Sequence, residues 1–150
     1  MRTFESPEEF AQAKGESFGP SHWVEIGQER VNRFADATDD HQWIHTDPEQ
    51  AKAGPFGGTI AHGYLTLSLL PSLLNSLYEV RGARMGINYG ANKVRFPAPV
   101  PVGGRVRLHA VLSDVRLGDG FVESVVTSTF EIEGQEKPAC VVESVGRLYA

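Results

Sequence analysis

The residues of this chain best suited to chemistry lie in Asp40-His41-Gln42-Trp43-Ile44-His45 and, further along, in Ile60-Ala61-His62-Gly63. An acid, a histidine and a glycine ahead of an apolar helix are the parts needed to add water to an activated acyl group. That reaction asks for three things. A water must be deprotonated and delivered to the acyl group, a proton must be placed, and charge building on the acyl oxygen must be stabilised. Asp40 is the natural base, and His45 can share its water if both come within hydrogen-bond reach. Gly63 opens the helix, where backbone N–H groups lack intrahelical partners, and a residue without Cβ lets an acyl group approach closely.

The spacing of Asp40 and His45 constrains how they could meet. Five residues of α-helix turn by about 500°, leaving the two side chains roughly 140° apart. On a strand an odd separation puts them on opposite faces. Convergence therefore calls for a curled, irregular segment, and a loop is expected here.

The rest of the chain must position that segment. Its 150 residues suit a single domain spanning 1–150, able to bury roughly 70% of the surface its unfolded chain exposes. With 41% hydrophobic and 22% charged residues the composition is that of a folded globular protein, not a disordered one. A formal charge of −5 argues against a nucleic-acid partner, which would favour a basic stripe. The single cysteine, Cys140, fits a reducing compartment and reads as a packed thiol. Met1-Arg2-Thr3-Phe4-Glu5 lacks the apolar core of a signal peptide. The apolar stretch from Ile60 to Leu77 contains His62, Pro71 and Asn75 and reads as a buried helix, not a membrane span. A cytoplasmic location is the expectation.

Ser6-Pro7-Glu8-Glu9 is a helix start, with Gly15 as a stop. Trp23 to Ile26 suggests a short strand, and Gln28 to Ala37 a helix with Val31, Phe34 and Ala35 at helical spacing. Asp47-Pro48 opens a further short helix to Ala53, and Gly54 to Gly58 is turn-rich. A leucine-rich helix follows from about Tyr64 to Ser76, with leucines on more than one face and a bend expected at Pro71. The second half holds four long strand-like runs, Ile87 to Phe96, Arg105 to Arg116, Phe121 to Ile132 and Ala139 to Tyr149, with turns at Gly118-Asp119-Gly120 and Gly134-Gln135. Helices early and a meander late give an α+β fold, an antiparallel sheet wrapped around a long central helix.

With these motifs the sequence resembles the hot-dog fold and, more closely, the MaoC-like or hydratase 2 family of (R)-specific enoyl-CoA hydratases. The resemblance rests on Phe34-Ala35, Asp40 to Asp47, Phe56-Gly57, Ile60-Ala61-His62-Gly63, and Arg95-Phe96-Pro97-Ala98-Pro99-Val100 with Gly103. It implies Asp40 and His45 as catalytic residues, the Gly63 N–H as oxyanion donor, and one water supplying hydroxyl and proton on the same face. Gln42, Ile60, Ala61, His62, Gly63 and Phe96 become candidate contacts for an acyl-CoA substrate. The resemblance further implies no cofactor, no metal and a homodimer. Two departures stand out: Gln42-Trp43 where many members carry Asn-Pro, and Pro71 where some carry serine on the central helix.

Other readings of the same residues stay open at this level. Asp40 could cap a turn, His62 could steady the helix start, and Phe96 could be a core aromatic. Asp40, His41, His45 and Asp47 cluster as metal ligands would, but the turn signals argue against a helical pairing of His41 with His45. Lys93, Arg95, Arg84 and Arg107 could meet CoA phosphates or could simply be solvated. His22 and His109 stand alone. At the level of function the competitors are a subunit of a (3R)-hydroxyacyl-carrier-protein dehydratase, a hot-dog thioesterase and a non-catalytic acyl-CoA binder.

Overall fold

The computed structural model describes residues 1–150. Strand β1 (Arg2–Phe4) leads into α1 (Pro7–Ala11), then β2 (Ser17–Phe18) and β3 (Val24–Glu25). Three helices follow before the central one: α2 (Gln28–Thr38), α3 (Trp43–Thr46) and α4 (Pro48–Lys52) precede α5 (Gly63–Ser68), which continues into α6 (Leu70–Leu77). Strands β4 (Tyr78–Val80), β5 (Met85–Arg95), β6 (Arg105–Leu117), β7 (Phe121–Ile132) and β8 (Cys140–Tyr149) complete the chain.

The helix starts follow from local chemistry. The Ser6 hydroxyl accepts the Glu9 N–H with Pro7 at the first helical position, and the Asp47 carboxylate accepts the Gln50 N–H ahead of Pro48. The leucine-rich helix differs from expectation. It is two helices meeting at Leu69, with Pro71 in the first turn of the second, where its missing N–H costs nothing. The bend expected at Pro71 thus falls two residues earlier.

The sheet runs β2-β6-β7-β8-β5, with β3 also pairing β6, and all of these pairings are antiparallel. Along β7 burial alternates residue by residue, the period-2 signature of a sheet with one face covered. Val106, Leu108, Ala110 and Leu112 of β6 and Val122, Val126, Phe130 and Ile132 of β7 meet Leu65, Leu70, Leu73 and Leu77 of the central helices. Phe4 and Phe10 extend this core beneath β1, which pairs with β4 in parallel. Cys140 is fully buried, and burial pushes its thiol up to about 11, as a packed thiol requires.

The helices are less enclosed than a wrapped helix would be. Leu67, Leu69 and Leu74 are only half-buried, and a groove of about 960 Å³ runs between α5–α6 and the β5, β8 and β7 face. Beside it, β5 is exposed along nearly its whole length, including Met85, Ile87 and Tyr89.

Candidate active site

Asp40 and His45 do meet, by a route that differs from the loop expected. Helix α2 ends on Asp39, which adopts a left-handed conformation (φ 59°) that a short polar residue tolerates. Asp40 to Gln42 then runs irregularly, and the chain re-enters a helix at Trp43, so His45 sits on a turn of α3 and not in a loop. Gln42 holds extended backbone (ψ 136°) between the two segments, which cancels the angular mismatch a continuous helix would impose. The expectation that Gln42-Trp43-Ile44 would not be helical is corrected for Trp43 and Ile44. The Thr46 hydroxyl closes this turn on the carbonyls of His41 and Gln42.

His45 is 7% exposed, and its Nδ1 lies 2.7 Å from the Ile60 carbonyl. A carbonyl only accepts, so Nδ1 carries the proton and Nε2 keeps its lone pair. Burial lowers the His45 pKa below the ordinary 6.5, opposed by the bond to Ile60 and by Asp40. The unfolded chain therefore binds the His45 proton more tightly, and its contribution to stability is present above pH 6.5 and lost as pH falls through the folded value. Any activity that needs neutral His45 should be complete at pH 7 and fall along an acid limb below 6.5; a wild-type pH–rate profile checks this.

His62 is 2% exposed, and its ring stacks on that of His45 at 3.8 Å between centroids. Its Nε2 donates to the Asp40 carbonyl at 3.0 Å, tying the Asp40 segment to the start of α5, while its Nδ1 is buried without a partner. The Asp40 side chain remains half exposed, 4.0 Å from His62 Nε2. One donor atom from each of Asp40, His45 and His62 lies within 4.8 Å of the others. The cluster gathered here is thus not the Asp40, His41, His45, Asp47 set suggested by sequence. As a ligand set it offers the Asp40 carboxylate with the free lone pairs of His45 Nε2 and His62 Nδ1, the other nitrogen of each ring being engaged with a carbonyl. That span also accommodates one water, since partners of a tetrahedral water at ordinary hydrogen-bond length sit about 4.6 Å apart.

Gly63 is the first residue of α5, and the Phe96 ring lies over it; a Cβ built there would meet the ring at 3.0 Å. Phe96 is 42% exposed and meets Tyr64 edge-on, so it is not a core residue. Ile60 and Ala61 are buried and act through their backbones: the Ile60 N–H reaches the Ile44 carbonyl and the Ala61 N–H reaches the Val100 carbonyl. Gln42 is exposed beside the pair. Of the four cations considered, Arg107 is held by Glu131 and stacked on Trp23, whereas Arg84 lines the groove. Two side chains that spacing does not single out also belong here: Gln28 at the start of α2 contacts the His45 carbonyl, and Thr59 contacts Gln28. Both contacts are tertiary, between segments 17 and 31 residues apart, and no local signal announces them.

An antiparallel sheet curled over a leucine-rich helix, with an acid–histidine pair at the helix start, defines a hot-dog enzyme of the hydro-lyase class. Residues 9–135 match the MaoC like domain. The 3-hydroxyacyl-thioester dehydratase Z of Mycobacterium tuberculosis is 61% identical over 151 residues, covering both chains in full. Among solved structures, a monoamine oxidase regulatory protein from Archaeoglobus superposes with a TM-score of 0.80 at 22% identity, covering 99% of this chain and 96% of that one. An (R)-hydratase from A. caviae involved in PHA biosynthesis superposes with a TM-score of 0.73 at 25% identity, covering 89% and 94%. The chain belongs to the MaoC-like dehydratase family and is an enzyme of that dehydratase/hydratase type.

Proposed function

We propose that the protein is an (R)-specific enoyl-CoA hydratase, working reversibly between a trans-2-enoyl thioester and the (3R)-3-hydroxyacyl thioester. The observation that carries this reading is the approach of Asp40, neutral His45 and His62 at the edge of a helix whose first residue is Gly63. A water between Asp40 and His45 Nε2 is held by two acceptors. As its oxygen bonds to C3, Asp40 takes one proton and the C2=C3 electrons move onto the thioester oxygen. The Gly63 N–H, free of any intrahelical partner, accommodates that charge. The proton then passes from Asp40 to C2 on the same face, and the carboxylate is restored. No cofactor enters this scheme.

The 61% relative bears a 3-hydroxyacyl-thioester dehydratase name, the same reaction read backwards, and supports the substrate class. The groove along α5 and α6 begins at Leu67, one turn beyond Gly63, and offers an apolar path for an acyl tail. We assign 1–150 to one MaoC-like unit acting as a cytoplasmic homodimer. Exposed β5, with Met85, Ile87 and Tyr89 on an unpaired sheet edge, is the surface such pairing would cover. Ile87→Glu should shift the protein from dimer to monomer in sedimentation velocity with little loss of monomer stability; an unchanged dimer would place the interface elsewhere.

The test of function follows loss of enoyl-thioester absorbance with short and medium trans-2-enoyl-CoA and resolves the product on a chiral column. A (3R)-3-hydroxyacyl-CoA product is expected. Release of free CoA would mean a thioesterase, and binding without turnover an acyl-CoA binder. Turnover of the carrier-protein thioester alone would point to a carrier-protein dehydratase.

A further inference from the structure

His45 is gripped from two sides, and both grips trace to one short stretch of chain. On one side its Nδ1 donates to the Ile60 carbonyl at 2.7 Å. On the other its own carbonyl accepts from Gln28 Nε2 at 2.7 Å. Gln28 Oε1 in turn accepts the hydroxyl of Thr59 at 2.6 Å, and Thr59 is the residue next to Ile60. The Ile60 N–H adds a bond to the Ile44 carbonyl at 3.0 Å. The Gln28 amide cannot be turned over in this setting, because its oxygen would then face the His45 carbonyl, which only accepts. Its second N–H is also used, on Asn32 Oδ1 at 3.0 Å. Every polar atom of the Gln28 side chain is thus engaged, with Thr59 buried beside it.

The result is a closed loop of contacts: His45 carbonyl, Gln28 amide, Thr59, Ile60 carbonyl and back to His45 Nδ1. Helix α3 is only four residues long and has no side-chain cap at its start. Such a turn is marginal alone, so the direction of the His45 ring depends on contacts from outside α3. We propose that Gln28, hooked to Thr59, is the positioning residue that fixes the orientation and tautomer of His45, and so presents Nε2 to the water. This inference rests on the catalytic reading of His45 given above. Gln28 touches neither water nor substrate in this scheme; it acts through the His45 backbone.

Three variants separate positioning from simple structural support. Gln28→Met keeps the length and removes both polar functions. Gln28→Glu keeps the acceptor for Thr59 but sets an oxygen against the His45 carbonyl. Thr59→Val leaves residue 28 intact and unhooks it. In hydration of trans-2-enoyl-CoA, Gln28→Met and Gln28→Glu should lower kcat about 10- to 100-fold with KM changed by less than about 2-fold, since a misplacement near 1 Å costs that much. Thr59→Val should fall between them and wild type. The imidazole 15N resonances of His45 should show one neutral tautomer, with Nδ1 protonated, in the wild type and a mixture in Gln28→Met. Asp40 and His62 are the titratable groups facing His45, and the added carboxylate of Gln28→Glu should move the acid limb of the pH profile upward. Folded variants with wild-type kcat and an unmixed His45 tautomer would overturn the proposal. If Gln28→Met fails to fold, Thr59→Val carries the same two readouts. His45→Gln serves as the control: if it stays active, the catalytic reading fails, while the tautomer spectrum still decides whether Gln28 sets the ring.

Discussion

Asp40→Asn should lower kcat for hydration of trans-2-enoyl-CoA by about 1,000-fold or more while leaving the melting temperature nearly unchanged. The two halves of this expectation come from different atoms of the same residue. The carboxylate is the only anionic oxygen of the cluster, and in the proposed scheme it takes the water proton and returns it to C2; general base catalysis of this kind contributes about 100- to 10,000-fold. An amide oxygen of the same shape still accepts a hydrogen bond from the water but takes no proton. The structural duty of Asp40 lies in its backbone carbonyl, which accepts from His62 Nε2 and is retained in the variant. Its side chain is half exposed and makes only a long 3.5 Å contact with the Gln42 N–H, so stability should change by less than about 0.5 kcal/mol. Steady-state assay and thermal melting check both halves. Full activity in Asp40→Asn would remove the carboxylate from the mechanism, and a collapsed fold would make its role structural.

How far the site is legible from sequence depends on how local its causes are. The caps at Ser6 and Asp47, the turns at Gly120 and Gly134, and the four long strands are set by short-range chemistry and appear where the pattern places them. The convergence of Asp40 with His45 is foreseeable as a requirement, because neither regular helix nor strand could bring them together. The means is not foreseeable. A left-handed Asp39 and an extended Gln42 flank a helical turn, and Gly54 lets the Trp43 ring close down at 3.0 Å from where its Cβ would stand. The clamp by Gln28 and Thr59 is invisible for a related reason. Gln28 reads simply as a helix start, and only the packing of α2 against α3 shows which carbonyl its amide finds. The small strands β1, β2 and β4 go unread because two or three residues carry no periodicity. The break at Leu69 is a tertiary choice between two ways of housing Pro71, and the chain takes the one that needs no lost hydrogen bond.

Gly63→Ala should likewise separate activity from stability: activity lower by about 100-fold, stability unchanged or slightly higher. The backbone at Gly63 needs no positive φ, and alanine is favoured over glycine in a helix by up to about 1 kcal/mol. The nearest obstacle to the new methyl is the Phe96 ring, 3.0 to 3.2 Å from where the Cβ would stand. That ring is 42% exposed and can swing away at little cost. Protein stability therefore has nothing to lose. A thioester oxygen that must reach the Gly63 N–H meets both the methyl and a displaced ring, and removal of one donor to such an oxygen costs about 100- to 1,000-fold in kcat. The double variant Gly63→Ala with Phe96→Ala distinguishes the two causes. If displacement of the ring alone does the damage, trimming Phe96 restores turnover. If the loss persists in the double variant, the methyl itself keeps the oxygen from the backbone donor, which is the outcome the oxyanion role of Gly63 requires. Wild-type activity in Gly63→Ala would mean that the thioester oxygen is held elsewhere.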